Sequence, residues 1–144
     1  MILIDANLLL YAYDSTSLHH HEAKKWLEDL LSGADTPAFA WIAILAFMRI
    51  GMNPRALRRP FTFQEASGIV SEWLQLPQAV ILNPSERHWP IFLELAAKGQ
   101  ALSSHITDAH LAVLALEHGA TLATADRGFA RFPGLRMVNP LAPA

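Results

Sequence analysis

The sequence predicts an α/β fold with a mostly parallel central sheet of about five strands. Short apolar runs alternate along the chain with longer segments whose apolar residues have helical spacing, which is the pattern of parallel strands covered by helices on both faces. The chain has 144 residues, of which 52% are hydrophobic and 17% charged. This length and composition suit one compact domain, and we expect a single domain spanning residues 1–144.

The predicted elements follow from these local patterns. Apolar runs predict strands at residues 2–4, around 38–39, and at 79–82, 121–123 and 136–138. Helical spacing of apolar residues predicts helices at residues 21–31, 63–74, 85–97 and 106–117. Gly33, Gly99 and Gly119 stand just past three of these helices, so each is predicted to adopt the left-handed conformation that often ends a helix.

Composition excludes several classes of protein. The longest apolar stretch, residues 38–50, contains Arg49 and is shorter than the roughly 20 residues that cross a membrane, so no membrane association is expected. The apolar start lacks the basic region of a signal peptide. The chain has no cysteine, so a cytoplasmic location is expected and any metal must be bound by oxygen or imidazole.

The charge of the chain limits how it can bind a polyanion. The net charge is −2, whereas passive nucleic-acid binders carry a strong positive excess. A polyanion must therefore be met by a local basic patch or through a bound cation. Arg55, Arg58 and Arg59 form one such patch, for which a solvated turn and a phosphate contact are both open interpretations.

Three aspartates are predicted to meet at one edge of the sheet. Asp5 and Asp126 follow predicted strands, and Asp108 lies near the start of an apolar helix. Ligands of parallel sheets bind at the carboxyl ends of the strands. Taken singly, Asp108 could complement its helix dipole and Asp126 could cap a loop. Together, three carboxylates repel one another by about 4 kcal/mol per pair at 4 Å unless a cation offsets the charge.

The ligand type indicates which cation this is. Carboxylate oxygens without thiolates favour a hard cation, Mg²⁺ or Mn²⁺, which retains several waters and takes other ligands from a substrate phosphate. Such a centre supports in-line displacement at a phosphodiester. A bound cation also explains how a slightly acidic protein handles a polyanion.

Five segments, in order along nearly the whole chain, resemble those of a known family. They read I-L-I-D-A-N, H-H-H-E-A-K-K-W-L, F-M-R-I-G-M-N-P, T-D-A-H-L-A-V-L-A-L-E-H-G-A and L-A-T-A-D-R-G-F-A-R-F-P-G-L. Together they resemble PIN-domain proteins, specifically VapC-type toxins of VapBC toxin–antitoxin systems. The resemblance implies a three-layer α/β/α fold and a Mg²⁺-dependent endoribonuclease, with Mn²⁺ able to substitute. It also implies a homodimer that cleaves RNA, inhibits translation and growth, and is neutralised by a VapB-type antitoxin.

The resemblance also assigns roles to residues of this chain. It implies that Asp5, Asp108 and Asp126 are the catalytic and metal-binding carboxylates. Asn7 is expected to orient Asp5, and Thr124 to hydrogen-bond the metal shell, although a plain strand-end hydroxyl is the alternative.

One position departs from the family pattern. Family members often carry an acid on the helix after the second strand, three residues before an arginine, and here Arg49 is preceded at that spacing by Ala46. One metal site is therefore expected. Arg49 is interpreted either as a phosphate contact or as an ion-pair partner of the acids. The missing acid leaves a second function open, a non-catalytic PIN fold that binds RNA or a protein partner.

Other residues are predicted to lie outside the site. His19, His20 and His21 are interpreted as an exposed helix start rather than a zinc site. His110 follows Asp108 by two residues, about 200° around a helix, and should face away from it. The tryptophans at positions 26, 41, 73 and 89 are assigned to the core or an interface rather than to base stacking.

Overall fold

The computed structural model describes residues 1–142, which form one five-stranded sheet with helices on both faces. The strands lie in the order β3-β2-β1-β4-β5, and every neighbouring pair is parallel. The strands are β1 (Ile2–Ile4), β2 (Pro37–Phe39), β3 (Val80–Ile81), β4 (Thr121–Ala123) and β5 (Met137–Val138). The predicted α/β class and parallel five-stranded sheet are confirmed.

Six α-helices and one 3₁₀ helix connect the strands within residues 1–142. The α-helices are α1 (Ala6–Tyr13), α2 (His20–Ser32), α3 (Trp41–Gly51), α4 (Phe63–Gln75), α5 (His88–Lys98) and α6 (His105–Glu117). The 3₁₀ helix spans Arg127–Arg131, between β4 and β5. Within the described chain, no helix combines the length and apolar content needed to cross a bilayer.

Two apolar cores confirm the three-layer arrangement. Leu3 belongs to the core formed with α5 and α6, whereas Ile4 belongs to the core formed with α1 to α4. Successive residues of a strand point to opposite faces of a sheet, so both faces of β1 are buried. In the second core, Phe39 stacks on Trp73 with ring centroids 5.3 Å apart, and the Trp73 indole donates a hydrogen bond to the Tyr13 hydroxyl.

Helix α1 was not predicted from the sequence. Its core residues Leu8, Leu9 and Ala12 lie in a nearly continuous apolar run, so helical periodicity is hard to detect over eight residues. The Asp5 carboxylate caps the helix by accepting a hydrogen bond from the Ala6 amide. The first helix therefore starts at the proposed site itself.

The glycine predictions are correct at one position of three. Gly119 has a φ of +67°, as predicted. Gly33 is extended and Gly99 is right-handed, so the left-handed prediction is wrong for both. After α5 the positive φ falls one residue later, at Gln100. Gly99 is needed for a different reason: a Cβ there would lie 2.8 Å from the Phe132 ring.

The tryptophans divide between buried and exposed positions. Trp73 is fully buried and Trp26 packs against the same core, as expected. Trp41 and Trp89 are 47% and 63% exposed, which excludes the core alternative for both and leaves the interface alternative as a prediction. The histidine run starts α2 as predicted, with the His20 Nδ1 atom 3.0 Å from the Tyr11 carbonyl oxygen.

Candidate active site

The sheet brings the residues that follow β1 and β4 side by side. Ile4 pairs with Ala123 in the parallel register, and the Asp5 amide donates a hydrogen bond to the Ala123 carbonyl at 3.0 Å. Asp5 and Thr124 therefore leave the carboxyl edge of adjacent strands together. This is the edge at which the sequence predicts a site.

Both oxygens of the Asp5 carboxylate are held in place. Oδ1 accepts a hydrogen bond from the Ala6 amide at 2.7 Å, and Oδ2 accepts one from the Thr124 hydroxyl at 2.7 Å. A carboxylate oxygen has two acceptor positions, so each oxygen retains capacity for another ligand. The hydrogen bonds thus orient the Asp5 side chain and leave acceptor positions on both carboxylate oxygens free.

The Thr124 hydroxyl joins the two strand ends. It is 1% exposed, donates to Asp5, and accepts hydrogen bonds from the Asp126 amide at 3.0 Å and the Asn7 side-chain amide at 3.4 Å. Asn7 also accepts a hydrogen bond from the Ala125 amide at 3.4 Å. Asn7 therefore acts on Asp5 through Thr124 rather than by a direct hydrogen bond.

Asp126 caps the 3₁₀ helix with one of its oxygens. Oδ1 accepts a hydrogen bond from the Gly128 amide at 2.8 Å, so the loop-capping interpretation describes a contact that exists. The residue as a whole is exposed. Its carboxylate therefore combines a structural contact with free access to solvent.

Asp108 lies in the first turn of α6 and has a partner that sequence reasoning missed. The His105 Nδ1 atom is 3.3 Å from Asp108 Oδ2. The signal was present in the sequence, because residues three apart on a helix are neighbours. With its Nδ1 protonated, His105 donates to Asp108 and restricts the rotation of its carboxylate.

Asp5 and Asp108 line the same small cavity. The cavity has a volume of about 110 Å³ and is closed on other sides by Ile42, Ala43 and Leu111. Ala46 also lines it, so the position that lacks the family's acid faces the two carboxylates.

The charges of the three aspartates act on one another. Burial raises the pKa of Asp5 above its ordinary 3.8, and ionised Asp108 and Asp126 raise that pKa further. The hydrogen bonds from Thr124 and Ala6 act in the opposite direction. Asp126 does not line the cavity, but its charge reaches Asp5, so the three form one electrostatic unit.

Two other candidates are placed by the structure. Arg49 is exposed on α3 and makes no ion pair within residues 1–142, which contradicts its interpretation as an ion-pair partner of the acids. His110 faces away from Asp108, as predicted, with its Nδ1 atom 3.0 Å from His88 Nε2. Burial and the neighbouring His88 lower the pKa of His110.

The donor set suits a hydrated hard cation. In the described part of the chain, no three histidine, aspartate or glutamate side chains converge as a ready-made metal cage. Mg²⁺ does not need one, because it keeps several waters and binds through one or two carboxylates together with substrate phosphate. The Asp5 and Asp108 carboxylates fit this requirement.

We expect Thr124→Val to destabilise the protein by about 1–3 kcal/mol, because the change leaves buried polar partners without the hydroxyl. Valine has nearly the same shape, so the loss reports on the hydrogen bonds. Urea unfolding measures it, and Thr16→Val, which removes an exposed hydroxyl, is the control and should cost no more than about 0.5 kcal/mol. Equal losses in the two variants would contradict the role given to Thr124.

We expect the metal-free protein to lose stability through Asp5 as the pH rises. The folded-state pKa is raised above 3.8, so folded Asp5 holds its proton over a pH interval in which unfolded Asp5 has lost it. The contribution of Asp5 to the free energy of unfolding is thus most favourable at pH values below that interval and declines as the pH rises through it. Urea unfolding in chelator should show that the free energy of unfolding of Asp5→Asn increases relative to that of the parent protein as the pH rises. A decrease of this difference with rising pH would refute the assignment.

Comparisons with known proteins define the family. The PIN domain model matches residues 2–135. Ribonuclease VapC37 of Mycobacterium tuberculosis is 41% identical over 142 residues, covering 99% of both chains. Ribonuclease VapC33 of the same species is 35% identical over 141 residues, covering 98% of this chain and 99% of the relative.

Solved structures agree on the fold. VapBC2 from Rickettsia felis, bound to a promoter DNA fragment, matches with a TM-score of 0.65 at 22% identity, covering 96% of this chain and 98% of that chain. Mycobacterium tuberculosis VapC20, described as a Sarcin-Ricin loop cleaving toxin, matches with a TM-score of 0.68 at 13% identity, covering 94% and 99%. The chain belongs to the PIN-domain family, among its VapC-type members.

Proposed function

We propose that this protein is a Mg²⁺-dependent endoribonuclease toxin that hydrolyses RNA phosphodiester bonds and thereby inhibits translation and growth. The observation that carries the proposal is the cavity at the carboxyl edge of the sheet. Asp5 and Asp108 both line it, and the negative charge of Asp126 acts on Asp5. The ribonuclease names of relatives at 41% and 35% identity support the same activity. Cleavage of cellular RNA would take place in the cytoplasm.

Different residues of this chain have different roles around the cation. Asp5 and Asp108 would hold Mg²⁺, or Mn²⁺ in its place, with Asp126 at the exposed rim. The chemistry that the bound cation supplies is neutralisation of charge on the phosphate and acidification of a water molecule. Thr124 fixes the Asp5 carboxylate, and Asn7 fixes Thr124. Arg49 is exposed and available for a substrate phosphate.

A second candidate function is a non-catalytic PIN fold that binds RNA or a protein partner. The observation in its favour is that Ala46 lines the cavity where family members often place an acid. One fewer carboxylate weakens the attraction for a divalent cation. The cavity nevertheless retains two carboxylates, which is enough for Mg²⁺.

Incubation of the purified protein with total bacterial RNA separates the two functions. The catalytic proposal predicts fragments in Mg²⁺ or Mn²⁺ and none in chelator, and sequencing of the fragment ends would identify the target. RNA binding without fragments at any metal concentration would establish the non-catalytic function instead.

We also propose a VapB-type antitoxin as partner. Related folds have been solved as toxin–antitoxin complexes, some of them on DNA. Such a partner could bind at the cavity, because an arginine side chain placed near Asp5 and Asp108 would offset their negative charge in place of the cation. Complexes with the antitoxin should therefore lose Mg²⁺-dependent cleavage.

A homodimer is the expected assembly. Helix α3 presents Trp41 and Leu45, one turn apart and 47% and 59% exposed, and such exposed apolar surface is typical of an interface. Light scattering at micromolar concentration measures the mass directly. A monomer under these conditions would contradict the proposal.

A further inference from the structure

A second, larger groove lies beside the carboxylate cavity. It has a volume of about 420 Å³ and runs between the first two turns of α5 and the first two turns of α6, with one side formed by α3. Its lining is mostly apolar, with histidine and threonine side chains as the polar elements. The lining includes Ile42, Trp89, Phe92, Ile106, Thr107 and His110.

The groove and the cavity share two walls. Ile42 and Thr107 line both of them, so the groove opens directly beside the position of Asp5 and Asp108. If the cavity holds the scissile phosphate, as the proposed function requires, the groove is within reach of the adjoining nucleotide. The inference below therefore rests on the proposed function.

Two aromatic rings form a stacking surface in the groove. The planes of Trp89 and Phe92 are nearly parallel, 12° apart, and the two rings stack on each other with their centroids 5.5 Å apart. Trp89 is 63% exposed, although burying an indole would be favourable. Successive bases of single-stranded nucleic acid stack on aromatic surfaces of this kind.

A hydrogen-bonded relay fixes the polar atom of the groove. The Ser85 hydroxyl donates to Glu117 Oε2 at 2.6 Å, and Glu117 Oε1 is 2.8 Å from His88 Nδ1. The Glu117 side chain is 2% exposed, and His88 Nε2 is in turn 3.0 Å from His110 Nδ1. The relay thus connects a buried carboxylate to a histidine that lines the groove.

The relay sets the hydrogen-bonding role of His110 when both imidazole rings are neutral. The Glu117 carboxylate accepts, so His88 carries its proton on Nδ1, and its Nε2, when the ring is neutral, accepts from His110 Nδ1–H. This assignment follows from the hydrogen-bond network. Neutral His110 is left with an acceptor at Nε2, and that atom has no hydrogen-bond partner within residues 1–142.

These features favour a nucleotide over a second copy of the chain. An apolar partner surface would bury the His110 acceptor without a donor, which is costly. A nucleobase offers both an aromatic face and an N–H donor at its edge. The amino ends of α5 and α6 border the groove and carry partial positive charge, which favours the attached phosphates.

We propose that this groove binds one unpaired RNA base next to the cleaved bond, stacked on Trp89 and donating an N–H group to His110 Nε2. This assignment reverses the sequence interpretation of Trp89 as a core or interface residue. It makes Trp89 and His110 determinants of substrate recognition, outside the carboxylate cavity.

Photocrosslinking locates the base directly. The probe is a pool of random single-stranded RNA in which 5-iodouridine replaces uridine, bound to the wild-type protein in chelator so that it stays intact. Trypsin cuts after Arg87 and Lys98, which isolates Trp89 and Phe92 in one peptide. We expect crosslinks on that peptide, and crosslinks confined to other peptides would overturn the proposal.

Substitution gives an independent test. Trp89→Ala should weaken binding of the same RNA by about 5- to 150-fold, the range for loss of one stacked base. Phe63→Ala is the matched control, since Phe63 is also 63% exposed but does not line the groove, and binding should change less than about twofold. Among fragments cut in Mg²⁺, His110→Phe should flatten the base preference beside the cut.

The outcomes separate this inference from the function on which it rests. RNA cleavage with unchanged affinity and kcat/KM in Trp89→Ala would overturn the base site and leave the nuclease intact. No cleavage and no RNA binding by the parent protein would overturn both. A halved mass of Trp89→Ala in light scattering would assign the groove to a second copy of the chain and also overturn the base site.

Discussion

Asp108→Asn is expected to lower RNA cleavage by about 100-fold or more, and Asp5→Asn to do the same. Even partners behind the direct ligands typically change metal affinity or activity by about 10- to 100-fold, and these two carboxylates line the cavity itself. Each change removes one negative charge while keeping nearly the same shape. Initial rates on one RNA substrate, measured across a Mg²⁺ titration, give the effect.

The exposed Asp35 provides the control for these variants. Asp35→Asn removes the same charge just before the start of β2, at the opposite end of the strands from the cavity, and should cleave at the parent rate. The cleavage rate of Asp126→Asn should lie between that of Asp35→Asn and those of the two cavity variants, because Asp126 lies at the rim of the cavity and also caps the 3₁₀ helix. Full activity of both Asp5→Asn and Asp108→Asn in chelator would refute the metal mechanism.

Ala46→Glu is expected to lower the Mg²⁺ concentration needed for half-maximal cleavage by about tenfold, which corresponds to roughly 1.4 kcal/mol of added attraction. The reason is geometric: Ala46 lines the cavity with Asp5 and Asp108, so a carboxylate there adds charge next to the cation. Cleavage at saturating metal should change less. Initial rates over a Mg²⁺ series measure both quantities.

Ala46→Gln separates charge from size in this test. Glutamine fills the same part of the 110 Å³ cavity without adding charge, so it should not improve the response to metal. If glutamine and glutamate have the same effect, the cavity does not bind a cation in the manner proposed. If neither the parent nor Ala46→Glu cleaves RNA at any metal concentration, the non-catalytic function is correct.

The sheet and the position of Asp5 were predictable because they depend on local pattern. Short apolar runs separated by helical segments dictate a parallel sheet, and residues directly after such strands must lie at its carboxyl edge. The pairing of Ile4 with Ala123 then places Thr124 against Asp5. No long-range information beyond alternation of strands and helices was needed.

The contacts between side chains were less predictable. The contact of His105 with Asp108 is local and could have been found from helical spacing. The relay from Glu117 to His88 joins residues 29 apart in the sequence and depends on how α5 packs on α6. The conformations of Gly33 and Gly99 likewise depend on how each helix end meets its neighbours, so sequence position alone predicted them wrongly.

The most direct measurement of the central claim is Mn²⁺ binding by calorimetry to the purified protein, with Mg²⁺ as competitor. The account predicts one Mn²⁺ per chain, displaced by Mg²⁺, retained in Asp35→Asn and lost in Asp5→Asn. Because the readout is binding, it is independent of the RNA target and of catalytic rate. No Mn²⁺ binding by the parent protein, or binding that is unchanged in Asp5→Asn, would contradict a metal site at the carboxyl edge of the sheet.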